Sequence, residues 1–324
     1  MQYAPTPRSP RAVSVCKYWG VHLVEQFGGT IVKKLLLGSV VLLAGISMQS
    51  AAGAADMPLK AVKAPYSACG YNAITAANNQ ISVDFATEHV DYLETFGGPL
   101  DSEKGWVPGV SVTGSAMRHV FGLCNVYLFG RGTFLNGTTD YWASSGAVRS
   151  NTDGARISEE DFRIGKGFDL ANNVMLTPYL GGGARQWGRN LSGPSGYHED
   201  YRHAYLGGGL LLQYSPVHRL VLSTSALVGR TFNSEMEASQ NGGFPIPPWT
   251  FPLGHRAIFM TESSADYAIT PSVHANVGVQ YTSFKYGQSP VNPFGFLEPD
   301  SRSHNVTVRA GLGWAFDAPL MARY

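Results

Sequence analysis

From about Gln80 to Phe316 the chain alternates in twos. In "VHANVGVQY", Val273, Ala275, Val277, Val279 and Tyr281 take turns with His274, Asn276, Gly278 and Gln280. In "HNVTVRAGLGWAF", Val306, Val308, Ala310, Leu312, Trp314 and Phe316 take turns with Asn305, Thr307, Arg309, Gly311, Gly313 and Ala315. "FRIGKGF" sets Phe162, Ile164 and Phe168 against Arg163, Gly165 and Gly167. "LTPYLGGGAR" sets Leu176, Leu180 and Ala184 against Thr177, Tyr179, Gly181, Gly183 and Arg185. A period of two belongs to a strand with two unlike faces. The apolar face must meet either a protein core or lipid.

The connections between these segments decide it. Short turns fall at 120–123, "LANN" (170–173), "SPVH" (215–218) and "ITP" (269–271). Between them stand the longer polar stretches "TFGGPLDSEKG", "NGTTDYWASSGAVRSNTDGARIS", "GRNLSGPSGYHED", "NSEMEASQNGGFPIPPWTFPLG" and "GQSPVNPFGFLEPDS". Long and short alternate throughout, beginning and ending with a long one. That order requires ten strands with both chain ends on the short-turn side. A β-sandwich has no reason to alternate its loop lengths, whereas outer-membrane barrels have short periplasmic turns, long external loops and an even strand count. The expected fold is therefore all-β, an antiparallel transmembrane β-barrel over residues 79–316. Ten strands is the preferred count; eight and twelve stay open because Ala257–Tyr267 alternates poorly. Interfacial aromatics are expected from Tyr214, Tyr267, Trp314 and Phe316 near the short turns, and from Trp106, Trp187, Phe232 and Phe284 near the long loops.

Composition agrees. Charged residues are only 15% against 44% apolar, and glycine is abundant at 38. Near the N-terminus, "KKLLLGSVVLLAGISMQSAAGAAD" has two lysines, an apolar stretch from Leu35 to Ile46 and small residues at 52–54. This is the layout of a cleaved secretory signal peptide, placed at 32–54 and implying Sec export. Residues 1–31 fit no signal n-region, so they read as an extension upstream of a start at Val32. Residues 55–78 read as an extended periplasmic segment, and 317–324, "DAPLMARY", as a tail. Without the first 54 residues, 19 basic residues face 22 acidic ones. That balance offers no basic stripe for a nucleic acid.

Here a family resemblance enters. The chain resembles the proteobacterial outer-membrane β-barrel proteins, and "AADMPLKAVKAP" is similar to the mature N-termini of alphaproteobacterial major outer-membrane proteins. Arg309, Gly311, Trp314 and Phe316 match that family's C-terminal assembly signal of a polar residue, a glycine and two apolar or aromatic residues. The resemblance implies recognition by the outer-membrane insertion machinery and residence among outer-membrane lipid and lipopolysaccharide. The family's usual final aromatic residue is followed here by the tail, which is a departure.

If the apolar faces meet lipid, the other faces line a lumen holding Arg131, Arg163, Arg185 and Arg309 with Asp84, Asp161, Glu262 and Asp266, beside Tyr127, Tyr179, Asn276 and Gln280. Buried charges persist only when paired, so the leading expectation is an ion-pair network that fills the barrel. A narrow channel for small polar solutes is the alternative, and it ranks second because ten strands lie nearer filled eight-stranded barrels than open sixteen-stranded ones. The expected role is structural or surface-binding, as a monomer with an unidentified external ligand, without cofactor and not as an enzyme. A rim hydrolase is the weakest reading. It would draw on Asp140, Asp153, Glu159, Glu235 and Glu237, or on His198, Glu199, Asp200 and His203, a cluster without metal-site spacing. The glycine triplets lie inside strands, where they permit close packing. Cys69 and Cys124 both fall on the short-turn side, so a disulfide between them is expected.

Overall fold

The computed structural model describes residues 2–3, 72–95, 99–143, 149–191, 196–240 and 248–316. The expected extension (1–31, Gln2 and Tyr3 apart), the signal peptide, the segment 55–71 and the tail lie outside these residues. Gln2–Tyr3 forms a separate two-stranded ladder with Phe296–Leu297.

Ten strands make the barrel: β1 (Gln80–Thr95), β2 (Pro99–Val120), β3 (Leu123–Ala143), β4 (Arg149–Lys166), β5 (Val174–Asn190), β6 (Tyr197–Val217), β7 (Leu220–Gln240), β8 (Ala257–Ala268), β9 (Val273–Tyr286) and β10 (Ser301–Ala315). Each pairs antiparallel with the next. β10 returns to β1, with Gly311 opposite Asp84 and Trp314 opposite Ile81. The sheet therefore closes, as a spanning sheet must in lipid, where an open edge would leave backbone groups unpaired. Beyond Gly167, Phe168–Ala171 continues β4 along β5.

The faces follow the period of two. On β1, Ile81, Val83 and Phe85 are 47%, 60% and 60% exposed, while Ser82 and Asp84 between them, and Glu88 further on, are buried. Val112, Leu128, Phe162, Leu180, Leu206 and Leu312 continue this outward belt round the barrel. Apolar residues outside and charged ones inside reverse the plan of a water-soluble domain, and the medium outside is lipid. β8 is as regular as the rest. Its weak pattern arises because Thr261 and Ser263 sit among its outward positions, while Glu262, Ser264 and Asp266 face inward. The count is ten.

Two expectations need correction. β2, β3, β6 and β7 run to 22, 21, 21 and 21 residues, about twice the 9–11 that cross a membrane. Much of what reads as long loop is strand that rises beyond the lipid, including "DYWA", "YHED" and "NSEMEASQ". Second, Trp187 and Phe284 belong to no girdle, being 2% and 3% exposed and turned into the lumen. Outward aromatics toward the long-loop end include Trp106, packed edge-on to His89 at 5.2 Å, Tyr281, stacked on His304 at 6.2 Å and 7°, and the exposed Trp142 and Phe232. Phe121, Tyr267, Trp314 and Phe316 stand exposed at the other end.

Packing explains the glycine triplets. A Cβ on Gly183 would strike the Glu160 carbonyl on β4 and come within 2.8 Å of the Tyr205 hydroxyl. The missing side chain there lets strands approach and leaves the lumen to large side chains from neighbouring strands.

A filled lumen as candidate functional site

Side chains cross the inside of the barrel at several levels, and they are best followed upward from the short turns. At the bottom lies a short helix, α1 (Ala73–Ala77), capped by Asn72, whose side chain accepts from the Thr75 N–H while Thr75 returns a bond to the Asn72 N–H. Ile74 and Ala76 are buried. Two asparagines fasten the helix to the wall. Asn78 exchanges bonds with Gln213 on β6 at 2.7 and 3.1 Å. Asn79 accepts from the Met117 N–H at 2.9 Å on β2. The helix is a plug in the short-turn mouth, which the alternation of loops did not reveal.

Above it, Gln80 donates to Asp266 at 2.8 Å, and His274 Nδ1 lies 2.7 Å from the same carboxylate. A polar chamber of about 130 Å³ follows, bounded by Asn78, Gln213, Ser223 and Asn276 below and by Arg131, Arg163 and Arg309 above. Asp84 lines it and accepts from Ser82 at 3.1 Å.

The roof of that chamber is the centre of the molecule. Glu262 on β8 receives Arg131 from β3 through both oxygens, at 2.8 and 3.2 Å. Arg309 from β10 reaches it at 2.9 Å and Arg163 from β4 at 3.3 Å. Gln280 accepts from Arg131 and Arg309, and Asp161 holds Arg163 at 2.5 and 3.0 Å. Three cations and their acids thus meet across the full width of the lumen, between strands on opposite walls. Phe129 lies beneath the guanidiniums of Arg131 and Arg163 at 4.9 and 4.6 Å, a cation–π contact that replaces part of their lost hydration.

One level higher, Arg185 on β5 grips Glu88 on β1 at 2.6 and 3.3 Å and also pairs with Glu159. Asn305 and Thr307 complete the Glu88 carboxylate at 3.0 and 3.1 Å. At the long-loop end Arg189 donates to Glu199 at 2.6 Å, Glu103 at 2.8 Å and the Tyr201 hydroxyl at 3.1 Å. Tyr92, Trp187 and Tyr201 surround its guanidinium at 5.0–5.1 Å. Glu298, from the loop between β9 and β10, enters this layer and accepts from Tyr201 at 2.6 Å.

The eight lumen residues expected from the pattern all point inward, but they form separate layers, not one network. Among the described residues, Asp84 and Asp266 bind no arginine. Glu159, expected in an external loop, is a lumen acid. Glu199, expected at the rim, is also a lumen acid, and Glu88, Glu94, Glu103, Arg189 and Glu298 were missed, although Glu88, Glu94 and Arg189 keep the parity of Asp84 and Arg185 and could have been found by counting on in twos. Of the "YHEDYRH" cluster, Glu199 and His203 turn inward and are spent on Arg189 and on the Tyr286 hydroxyl at 2.8 Å, while His198 bonds Asn190 at 2.7 Å. Among the described residues no group of three or more His, Cys, Asp or Glu is arranged to hold a metal ion.

Two predictions arise from these ends. Burial, with the charges of Glu199 and Glu94 nearby, holds the Glu298 carboxyl well above the usual carboxylate range. A carboxyl raised in the folded state stabilises below its unfolded pKa of roughly 4.3, and the contribution is lost as pH climbs through the raised value. Hydrogen exchange across 287–300, corrected for intrinsic rates, should be slower at pH 5 than at pH 8; equal protection would remove Glu298 as the cause. At the other end Cys124 is disulfide-bonded, and Cys69, three residues before the Asn72 cap, lies outside the described residues. Peptide mapping without reductant is expected to recover 69 and 124 in one cross-linked peptide, and two free thiols would refute the pairing.

A closed ten-stranded barrel, apolar outside and polar inside, with short turns at one end and tall strands at the other, defines an integral β-barrel of the outer-membrane class. No family model matches the chain and no curated protein does. Among solved structures it is similar in architecture to the outer membrane protease OmpT from Escherichia coli, with a TM-score of 0.48 and 13% identity over 73% of this chain and 95% of that one. It is also similar to the P. putida toluene transporter TodX (TM-score 0.30, 11% identity, 75% and 92% covered) and to Neisserial surface protein A (0.29, 10%, 73% and 97%). The alphaproteobacterial likeness of "AADMPLKAVKAP" falls outside the described residues.

Proposed function

We propose that this is a closed outer-membrane barrel of structural or surface-binding role, a monomer of the alphaproteobacterial kind, exported by the Sec route and inserted through its β10 signal. The observation that carries this reading is Glu262, bound by Arg131, Arg163 and Arg309 from opposite walls. A solute passing through would have to part ion pairs that have already given up their water, each a loss of several kcal/mol, about 3–5 for a broken buried pair. The α1 plug and the Arg189 layer obstruct the path twice more. On this reading the chemistry presented to the outside lies on the upper strands and loops, and no catalysis is assigned. Liposome swelling tests the proposal: vesicles carrying the folded protein should swell in small sugars and amino acids no faster than empty ones. Swelling that scales with protein would establish the narrow channel instead, with the 130 Å³ chamber as its inner vestibule.

A further inference from the structure

The chamber beneath the central arginines has two charged poles that do not meet. Asp84 on β1 stands opposite Gly311 on β10, so Arg309, two residues along the same face, is its diagonal neighbour. Diagonal neighbours on one face lie about 7–8 Å apart, within reach of a long side chain. Arg309 reaches across the lumen instead, giving Nη2 to Glu262 and Gln280 at 2.9 and 2.8 Å. Among the described residues its Nε and Nη1 have no acceptor, and the Asp84 carboxylate has only the Ser82 hydroxyl, which donates to Oδ2 at 3.1 Å. Asp84 is 5% exposed and Arg309 is 4% exposed, and both line the chamber. A buried charge costs free energy unless it is paired and hydrogen-bonded. One ligand that spans the chamber satisfies both poles.

Charge balance sets the net charge of that ligand. The three guanidiniums of the roof are matched by the carboxylates of Glu262, Asp161 and Asp84, while Asp266 is spent on Gln80 and His274. An ion of either sign would bring an unmatched charge into a lumen surrounded by lipid, whereas a zwitterion brings none. Between the poles the wall is polar and short, with Ser115, Ser264 and Asn276. Size sets the rest. The chamber holds about 130 Å³, and a cavity of about 150 Å³ takes a benzene ring, so the fit is a molecule of about six heavy atoms.

We infer that the chamber is a binding site for a small zwitterion carrying one ammonium and one carboxylate, of the size of glycine or alanine. Its carboxylate accepts from the donors that Arg309 keeps, and its ammonium donates to Asp84, both charge-assisted bonds. The site requires the chamber and its two poles. It does not require a closed lumen, because a ligand present while the barrel folds is enclosed with it, and one arriving through a channel meets the same groups.

The test refolds the full chain in detergent micelles with labelled alanine, dialyses it against the same alanine concentration, and counts the equivalents bound. Wild type and E235Q, which is altered only on the outer rim, should each take up one equivalent. D84N should bind about tenfold more weakly or worse, since a charge-assisted bond is lost. Acetate and methylammonium, separately or together, should bind wild type far more weakly than alanine does, and phenylalanine, too large for the chamber, should not bind. No bound alanine in wild type overturns the site. Equal binding of acetate or methylammonium overturns the zwitterion, and equal binding of phenylalanine places the ligand outside the chamber. Unchanged binding in D84N removes Asp84 as the partner of the ammonium. Should D84N fail to fold, the wild-type comparison of alanine with the separate ions and with phenylalanine decides. Swelling of liposomes together with one bound alanine would keep the site and lose only the closed lumen.

Discussion

Replacing Glu262 with alanine is expected to destabilise the barrel by about 3–5 kcal/mol, because it leaves Arg131 and Arg309 without a carboxylate partner and Arg163 with Asp161 alone, inside the barrel. The carboxylate is the acceptor for three guanidiniums, and it is 8% exposed. Asp161 and Gln280 remain, but Asp161 is already committed to Arg163, and Gln280 carries no charge. Glu262→Gln keeps the shape and loses the charge, so it should fall between wild type and alanine. Glu235 offers the contrast. It pairs with Arg202 on the outer rim, where both are about a third or more exposed, and exposed pairs are worth roughly 0–1 kcal/mol. Urea unfolding of the refolded protein in micelles should therefore shift strongly for E262A and hardly for E235Q. Equal shifts would show that the central cluster does not hold the walls together.

Gly311→Ala is expected to abolish most folding into membranes. Gly311 lies in the closing seam, opposite Asp84. A Cβ there would come within 2.5 Å of the Asp84 Cα and closer still to the Val83 carbonyl, both backbone atoms that cannot step aside. The strain would fall on the pairing that removes the barrel's last open edge, and an open edge is what a spanning sheet cannot keep. This gives Gly311 a structural reason that does not depend on the recognition by an insertion machinery which the family resemblance implies. Gly114, where an added Cβ meets nothing within 4 Å, should accept alanine with little change. The measure is the fraction reaching the compact, heat-modifiable form in liposomes without any insertion machinery. Normal folding of G311A there would confine the role of Gly311 to recognition.

The alternation alone carries the fold a long way. Ile81, Val83 and Phe85 outward with Ser82, Asp84 and Glu88 inward is what a period of two requires, and the order of long and short connections favours ten strands, with eight and twelve left open only where Thr261 and Ser263 blur β8. Height along the strands was not legible. A strand of 9–11 residues suffices to cross lipid, so a reading that stops there leaves Arg189, Glu199 and Glu103 in loops, although the same parity continues unbroken into them. Partner choice was not legible either. Arg185 meets Glu88 and Glu159, and Glu262 gathers three arginines, because strand stagger brings residues far apart in sequence to one height. Trp187 looked interfacial by its place near a turn-rich stretch, yet its odd position on β5 turns it inward. The α1 plug has no periodic signature at five residues, and only the Asn72–Thr75 capping pair hints at it.

Single-channel recording from the folded barrel in a planar bilayer tests the closed lumen most directly. The membrane should stay silent across the range of voltages the bilayer withstands, with discrete openings gained only when E262A breaks the central cluster. Steady ohmic conductance from the wild-type barrel would contradict it.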